Sequence, residues 1–217
     1  MNNKLFFIKE AIKVGWEKAK QNIGPFFLIL LASWIISGII SAFSESHDER
    51  SALRSLVALV GWIVGVFIQL GMTRVILKVL DGGKPAASDF SFNADQFGRF
   101  LLGTILGGVI IVVGLILLII PGIILSIRLQ FMPYLIVEKN MNPFDAMKRS
   151  WAISRNQTWN LFVFSIVCGL VALLGFIALF IGLIWAIPTI MIAAAFVYRK
   201  LESAAGSEVV PVESRAV

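Results

Sequence analysis

Cysteine and histidine are almost missing, with one of each in 217 residues. A single cysteine, Cys168, excludes an intramolecular disulfide, and its place in an apolar run suits a thiol packed as a small hydrophobe. His47 sits in a polar loop without metal-ligating neighbours, so no Cys/His metal site is expected and no cofactor is implied. Charge is equally scarce. Asp, Glu, Lys and Arg make up 15% of the chain, against about 25% in an ordinary soluble domain. There is no Gly-x-x-x-x-Gly-Lys-Ser/Thr loop, no His-Glu-x-x-His and no Cys-x-x-Cys, so no catalytic residue can be nominated and an enzyme is not expected. All 13 acidic residues lie outside the apolar segments or at their margins. That counts against a proton- or cation-coupled transporter, which usually keeps a carboxylate within the membrane.

What fills the chain instead is apolar: 58% of residues are hydrophobic and mean hydropathy is +0.88. With too little polar surface to meet water, the excess must face lipid. Six segments can be drawn, at 23–43, 53–79, 100–120, 121–137, 159–180 and 181–197, each near the roughly 20 residues a helix needs to cross a bilayer. Pro121-Gly122 is expected to form the turn that divides the long block between 100 and 137. The last block is expected to turn near Gly182, ahead of Pro188. The basic N-terminal stretch could be mistaken for part of a secretory signal, but the apolar block after it exceeds a typical signal core, so a retained first helix is expected.

Lys and Arg placement gives the orientation. With the N-terminus inside, sixteen of the 19 basic residues fall on the cytoplasmic side, only Arg50 and Arg54 fall outside, and Arg128 lies within a span. That bias predicts both termini in the cytoplasm and a bacterial cytoplasmic (inner) membrane location. The net charge of +6 then serves orientation and anionic lipid headgroups, with no nucleic-acid partner implied.

Two cytoplasmic-side segments read as amphipathic interfacial helices. In 4–21, Leu5, Ile8, Ile12, Trp16 and Ala19 recur at helical spacing, with Lys9, Lys13, Glu17 and Lys20 opposite. In 142–155, Asn142-Pro143 opens a helix and Asp145 suits its first turn. Phe144, Met147 and Trp151 stripe that helix, flanked by Lys148 and Arg149. The middle loop, 81–99, turns at Gly82-Gly83-Lys84-Pro85 and could dip Phe90, Phe92 and Phe97 into the interface. Ala11-x-Lys13-x-x-Trp16 matches Ala146-x-Lys148-x-x-Trp151 at an offset of 135. This suggests a three-fold pseudo-repeat of interfacial segment plus membrane hairpin, although any basic helix ahead of a span would look similar. The fold expected is therefore all-α: six transmembrane helices in one membrane domain, 1–202, followed by a disordered tail, 203–217.

Arg128 is the informative polar residue. A cation at that depth costs about 2.5–3.5 kcal/mol on the gentler insertion scales and needs water or a partner. Gln69 lies at similar depth in the second span, so the two could line a polar cavity for an anionic headgroup or solute. Alternatively Arg128 snorkels, or caps carbonyls freed near Pro133. Gly61-x-x-x-Gly65 and Gly103-x-x-x-Gly107 are small faces for packing within the bundle, with a homo-oligomer or another protein partner as the minority option. Trp16, Trp151 and Trp159 fit an aromatic belt.

The stretch Ile120-Pro121-Gly122-Ile123-x-Leu125-x-x-Arg128, followed by Pro143-x-x-Ala146-x-x-x-Ser150-Trp151, resembles the six-helix membrane domain fused to some bacterial glycerophosphodiester phosphodiesterases, and related standalone inner-membrane proteins. The resemblance spans roughly residues 5–201. The soluble phosphodiesterase domain is absent, so it implies no hydrolase activity. Two functional readings stay open: a non-enzymatic envelope scaffold or assembly factor, or a small transporter or lipid-handling protein using a cavity at Arg128.

Overall fold

A computed structural model describes residues 5–45, 52–177 and 181–207. Among them no strand occurs, and nine helices follow one another: α1 (Ile8–Gln21), α2 (Ile23–Glu45), α3 (Ala52–Leu80), α4 (Ala94–Leu117), α5 (Ile119–Leu129), α6 (Met132–Lys139), α7 (Pro143–Ser154), α8 (Thr158–Ile177) and α9 (Ile181–Ser207). Six stretches are long and apolar enough to cross a membrane: Ile23–Phe43, Ala52–Leu80, Ala94–Leu117, Ile119–Lys139, Pro143–Ile177 and Gly182–Gly206. The chain is a multi-pass helical membrane protein. His47, Arg50 and residues 208–217 lie outside the described residues.

Local chemistry explains most boundaries. Asn93 and Asn142 cap α4 and α7, accepting from the amides of Gln96 and Asp145 at 3.0 Å each, where a helix start leaves amides free. The expected turn at Pro121-Gly122 is displaced. The break falls at Leu118, which is extended at φ −160°, and Pro121 is the third residue of α5. A proline is harmless there because a first-turn amide has no acceptor to lose. Gly122 serves closeness instead of turning: a Cβ on it would lie 2.7 Å from the Leu115 amide nitrogen, and one on Gly114 would lie 3.2 Å from the Gly122 Cα. The fourth span is itself interrupted at Gln130 and Phe131, with Pro133 in the first turn of α6. At the other end, α9 continues through 203–207, where the sequence suggested disorder.

The second member of each hairpin fills the centre. Fully buried side chains there include Leu70 and Ile76 of α3, Leu135 and Ile136 of α6, and Ile192, Tyr198 and Leu201 of α9, and Phe26, Phe100, Leu161 and Phe164 reach the same core from α2, α4 and α8. Tyr134 stacks on Tyr198 with ring centroids 5.4 Å apart. The first members, α2, α4 and α8, lie outside and leave large apolar side chains uncovered, among them Leu28, Ile116 and Leu174 at 65–77% exposure. So much uncovered apolar surface suits acyl chains, not water. Shorter segments brace the central helices at their basic ends. α1 packs on α9, the 3-10 turn Ala87–Phe90 on α3, and α7 on α5 and α6. In α1 the buried stripe is Ala11, Gly15 and Ala19, while Trp16 of the expected apolar stripe stays 48% exposed and lies against Trp185 at 5.4 Å. In α7, Ala146 and Ser150 are buried and Phe144 and Trp151 point outward.

Candidate functional site

Arg128 lies in the last turn of α5, beside the interruption of the fourth span. Its guanidinium lies 4.4 Å from the centroid of the Trp151 ring, a cation–π contact that gains strength when water is excluded. Its Nε is buried without a hydrogen-bond partner. Carbonyls in the last turn of a helix lose intrahelical donors, and α7 supplies hydroxyls to that of Arg128: Ser150 Oγ at 2.6 Å, with Ser154 Oγ at 3.4 Å. Gln69 is not its neighbour. Residues two apart on a helix point about 200° apart, and it is Gln130, not Arg128, that faces the same space as Gln69. The expected Arg128–Gln69 cavity is therefore corrected to a Gln69–Gln130 pocket.

That pocket, about 280 Å³, lies between α3, α4 and the interrupted span, and is lined by Gln69, Thr104, Ser126, Gln130 and Pro133 with Gly103 and Gly107. The hydroxyls donate within their own helices, Thr104 to Phe100 O (2.9 Å) and Ser126 to Ile123 O (2.8 Å), which leaves their oxygens as acceptors. The Gln130 Nε2 is buried and unpartnered. No charged side chain lines the pocket, so it suits a neutral polar group that can accept from Gln130, and it holds no acid or base for catalysis. The glycines make room for α6: a Cβ on Gly103 would lie 2.6 Å from Ile136 Cδ1, and one on Gly107 would lie 3.0 Å from Met132 Cε. Of the other glycine pair, Gly61 abuts Ile40 and Gly65 faces open space. Gln130→Leu removes a buried donor that nothing satisfies, so it is expected to stabilise the purified apo protein by about 1 kcal/mol, read as raised thermal stability in detergent.

A second polar region lies at the basic ends of the central helices. Glu202 of α9 accepts from Arg149 Nε (3.0 Å) and Nη2 (2.9 Å) and from Lys139. Glu138 of α6 accepts from the Tyr198 hydroxyl (2.5 Å) and pairs with Arg199 (2.6 Å), which also reaches Asp81 (2.9 Å). Arg74 donates to Gln96 Oε1 (3.0 Å) and to the Ser91 carbonyl (2.6 Å), while Lys78 pairs with Asp89 (2.8 Å). Lys200 reaches Glu10 of α1 at 3.5 Å. Lys9, Lys20, Lys84, Lys148 and Arg155 are exposed and have no ion-pair partner among the described residues. Lys13 reaches only Glu17, at 3.9 Å and well exposed.

Comparison with known proteins matches residues 24–217 to the model of a domain of unknown function, DUF7847. The chain belongs to that family. It is 24% identical over 225 residues to the uncharacterized protein Rv2560 of Mycobacterium tuberculosis, covering 90% of this chain and 69% of that one. It is 27% identical over 121 residues to the UPF0259 membrane protein plu2479 of Photorhabdus laumondii, covering 55% of this chain and 47% of that one. No solved structure matches. Neither relative is named for an activity.

Sequence reasoning overlooked the network around Glu138 and Glu202, because partners such as Glu138 and Tyr198 lie 60 residues apart. The available signal was that the acids cluster beside the basic flanks of the same segments.

Proposed function

We propose that this DUF7847 member is a non-enzymatic scaffold or assembly factor of the bacterial cytoplasmic membrane, with both termini inside. The observation that carries the reading is the division among the basic residues. One set is consumed in ion pairs that tie α1, α6, α7 and the residue after α3, Asp81, to α9. Another set, including Lys9, Lys148 and Arg155, is unpaired and faces outward. A braced face that presents free cations suits anionic headgroups and an acidic protein surface. The three-unit repeat fits this architecture. Each short segment packs on the second helix of the preceding hairpin, and α1 closes the ring on α9. At the offset of 135, Ala11 and Ala146, Gly15 and Ser150, and Ala19 and Ser154 are all buried. Gly15 abuts the carbonyl of Thr189 much as Ser150 meets that of Arg128. The likeness to the phosphodiesterase-associated membrane domain rests on the motif residues alone and carries only this non-catalytic role.

A second reading, lipid handling, is supported by the Gln69–Gln130 pocket at the interrupted span, since broken membrane helices commonly border binding sites. One experiment separates the two. A photo-crosslinking side chain at Met147 in living cells is expected to give discrete protein adducts that Lys13→Glu with Lys148→Glu abolishes and Gln130→Leu leaves intact. Adducts to lipid alone, or protein adducts insensitive to charge reversal, would end the scaffold reading.

A further inference from the structure

The first hairpin is closed at one end and open at the other. Near the loop that joins them, α2 and α3 touch: a Cβ on Gly61 would lie 2.5 Å from Ile40 Cγ2. Toward the basic end they part, leaving a cleft of about 750 Å³ lined by Pro25, Ile29, Ile36, Phe67, Pro85 and Phe90, among others. Phe90 is wedged there by Gly71, since a Cβ on that glycine would overlap its ring. The only hydroxyl in the lining, Ser33, donates to Ile29 O at 2.8 Å and so needs no ligand. No charged side chain lines the cleft. Residues 25 to 36 cover about 17 Å of helix, close to the ~15 Å depth of one leaflet's hydrocarbon. An apolar cleft of that depth between lipid-exposed helices suits an acyl chain.

The mouth sets which lipid. Lys84 precedes Pro85, and Lys20 lies five residues before Pro25. Both are exposed, and neither has an ion-pair partner among the described residues, whereas the nearby acids Asp81 and Asp89 are held by Arg199 and Lys78. The Lys18 ammonium adds a third cation beside Gly82, 4.0 Å from where its Cβ would stand. We propose that the α2–α3 cleft is a binding site for one acidic phospholipid, with an acyl chain between the helices and the phosphate-bearing headgroup at Lys20 and Lys84. The site is separate from the Gln69–Gln130 pocket and does not depend on the scaffold reading.

Native mass spectrometry of the full chain in detergent tests this, with phosphatidylglycerol and phosphatidylcholine of identical acyl chains as probes. One phosphatidylglycerol per chain is expected to survive activation that strips phosphatidylcholine. Reversing both charges, Lys20→Glu with Lys84→Glu, is expected to lower its apparent affinity by about tenfold or more. Ala32→Trp, which fills the cleft, is expected to abolish retention while thermal unfolding remains cooperative. Equal retention of the two lipids, or retention unmoved by charge reversal, overturns the headgroup assignment. Retention that survives Ala32→Trp in a folded protein overturns the cleft. Should Ala32→Trp fail to fold, the milder Ala32→Leu with a photoactivatable acyl chain decides the cleft, and adducts that never fall on α2 or α3 overturn it.

Discussion

Gly15→Leu is expected to destabilise the protein by about 3 kcal/mol, near the upper end for overpacking a tight contact. Two effects oppose each other. Leucine is the better helix former by somewhat under 1 kcal/mol, which would stabilise α1. Against that, a Cβ at this position overlaps the Thr189 carbonyl oxygen and comes within 3.2 Å of the Ala193 nitrogen and Cβ. The obstacle is backbone, so no rotamer relieves it, and α1 must lift from α9. Lifting uncovers Ala11 and Ala19, both at 0% exposure, and draws Glu10 away from Lys200. Overpacking wins. Gly169→Leu supplies the control: nothing stands within 4 Å of a Cβ there, so only the helix-propensity gain should register. Parallel denaturant or thermal titrations of both variants in one detergent measure the difference.

Glu202→Leu is expected to cost about 2 kcal/mol, between the ~0–1 kcal/mol of an exposed ion pair and the 3–5 kcal/mol of a broken buried one. The carboxylate is the buried partner, with 11% of its side chain exposed against 28% for Arg149 and 42% for Lys139. Its loss strands two cations at the junction of α6, α7 and α9. The forked contact from Arg149 should carry most of the effect, because two parallel hydrogen bonds fix both partners. A double-mutant cycle of Glu202→Leu with Arg149→Met is expected to show coupling well above that of Glu202→Leu with Lys139→Met. Equal couplings would mean that geometry is irrelevant and only net charge matters.

The spans were legible because lipid imposes a simple requirement of about 20 apolar residues, and the six drawn from sequence fall on the helices. The Asn142 cap and the Pro143 helix start follow the same logic of local chemistry. Three features are not legible in local sequence, each for an identifiable reason. Pro121-Gly122 has the composition of a turn, yet proline early in a helix marks a start a little upstream, which puts the break at Leu118. In α1 the bulky apolar stripe suits the membrane interface, and the contact with α9 runs through other residues. Membrane helices associate through small residues, so Ala11, Gly15 and Ala19 meet α9 while Trp16 remains half uncovered. For Arg128, depth followed from counting residues, but its direction did not, and Gln130 occupied the place assigned to it. The ion pairs around Glu138 and Glu202 join segments far apart in sequence and leave no local periodicity to read.

The central claim is that six apolar segments cross the bilayer with the basic flanks on one side. Single cysteines introduced after Cys168→Ser, at Ala86, Asn140 and Leu118, test it most directly with a membrane-impermeant maleimide on intact cells. The account predicts labelling of Leu118→Cys alone, with Ala86→Cys and Asn140→Cys reacting only after permeabilisation. Labelling of Ala86→Cys and Asn140→Cys from opposite sides of the membrane would contradict it.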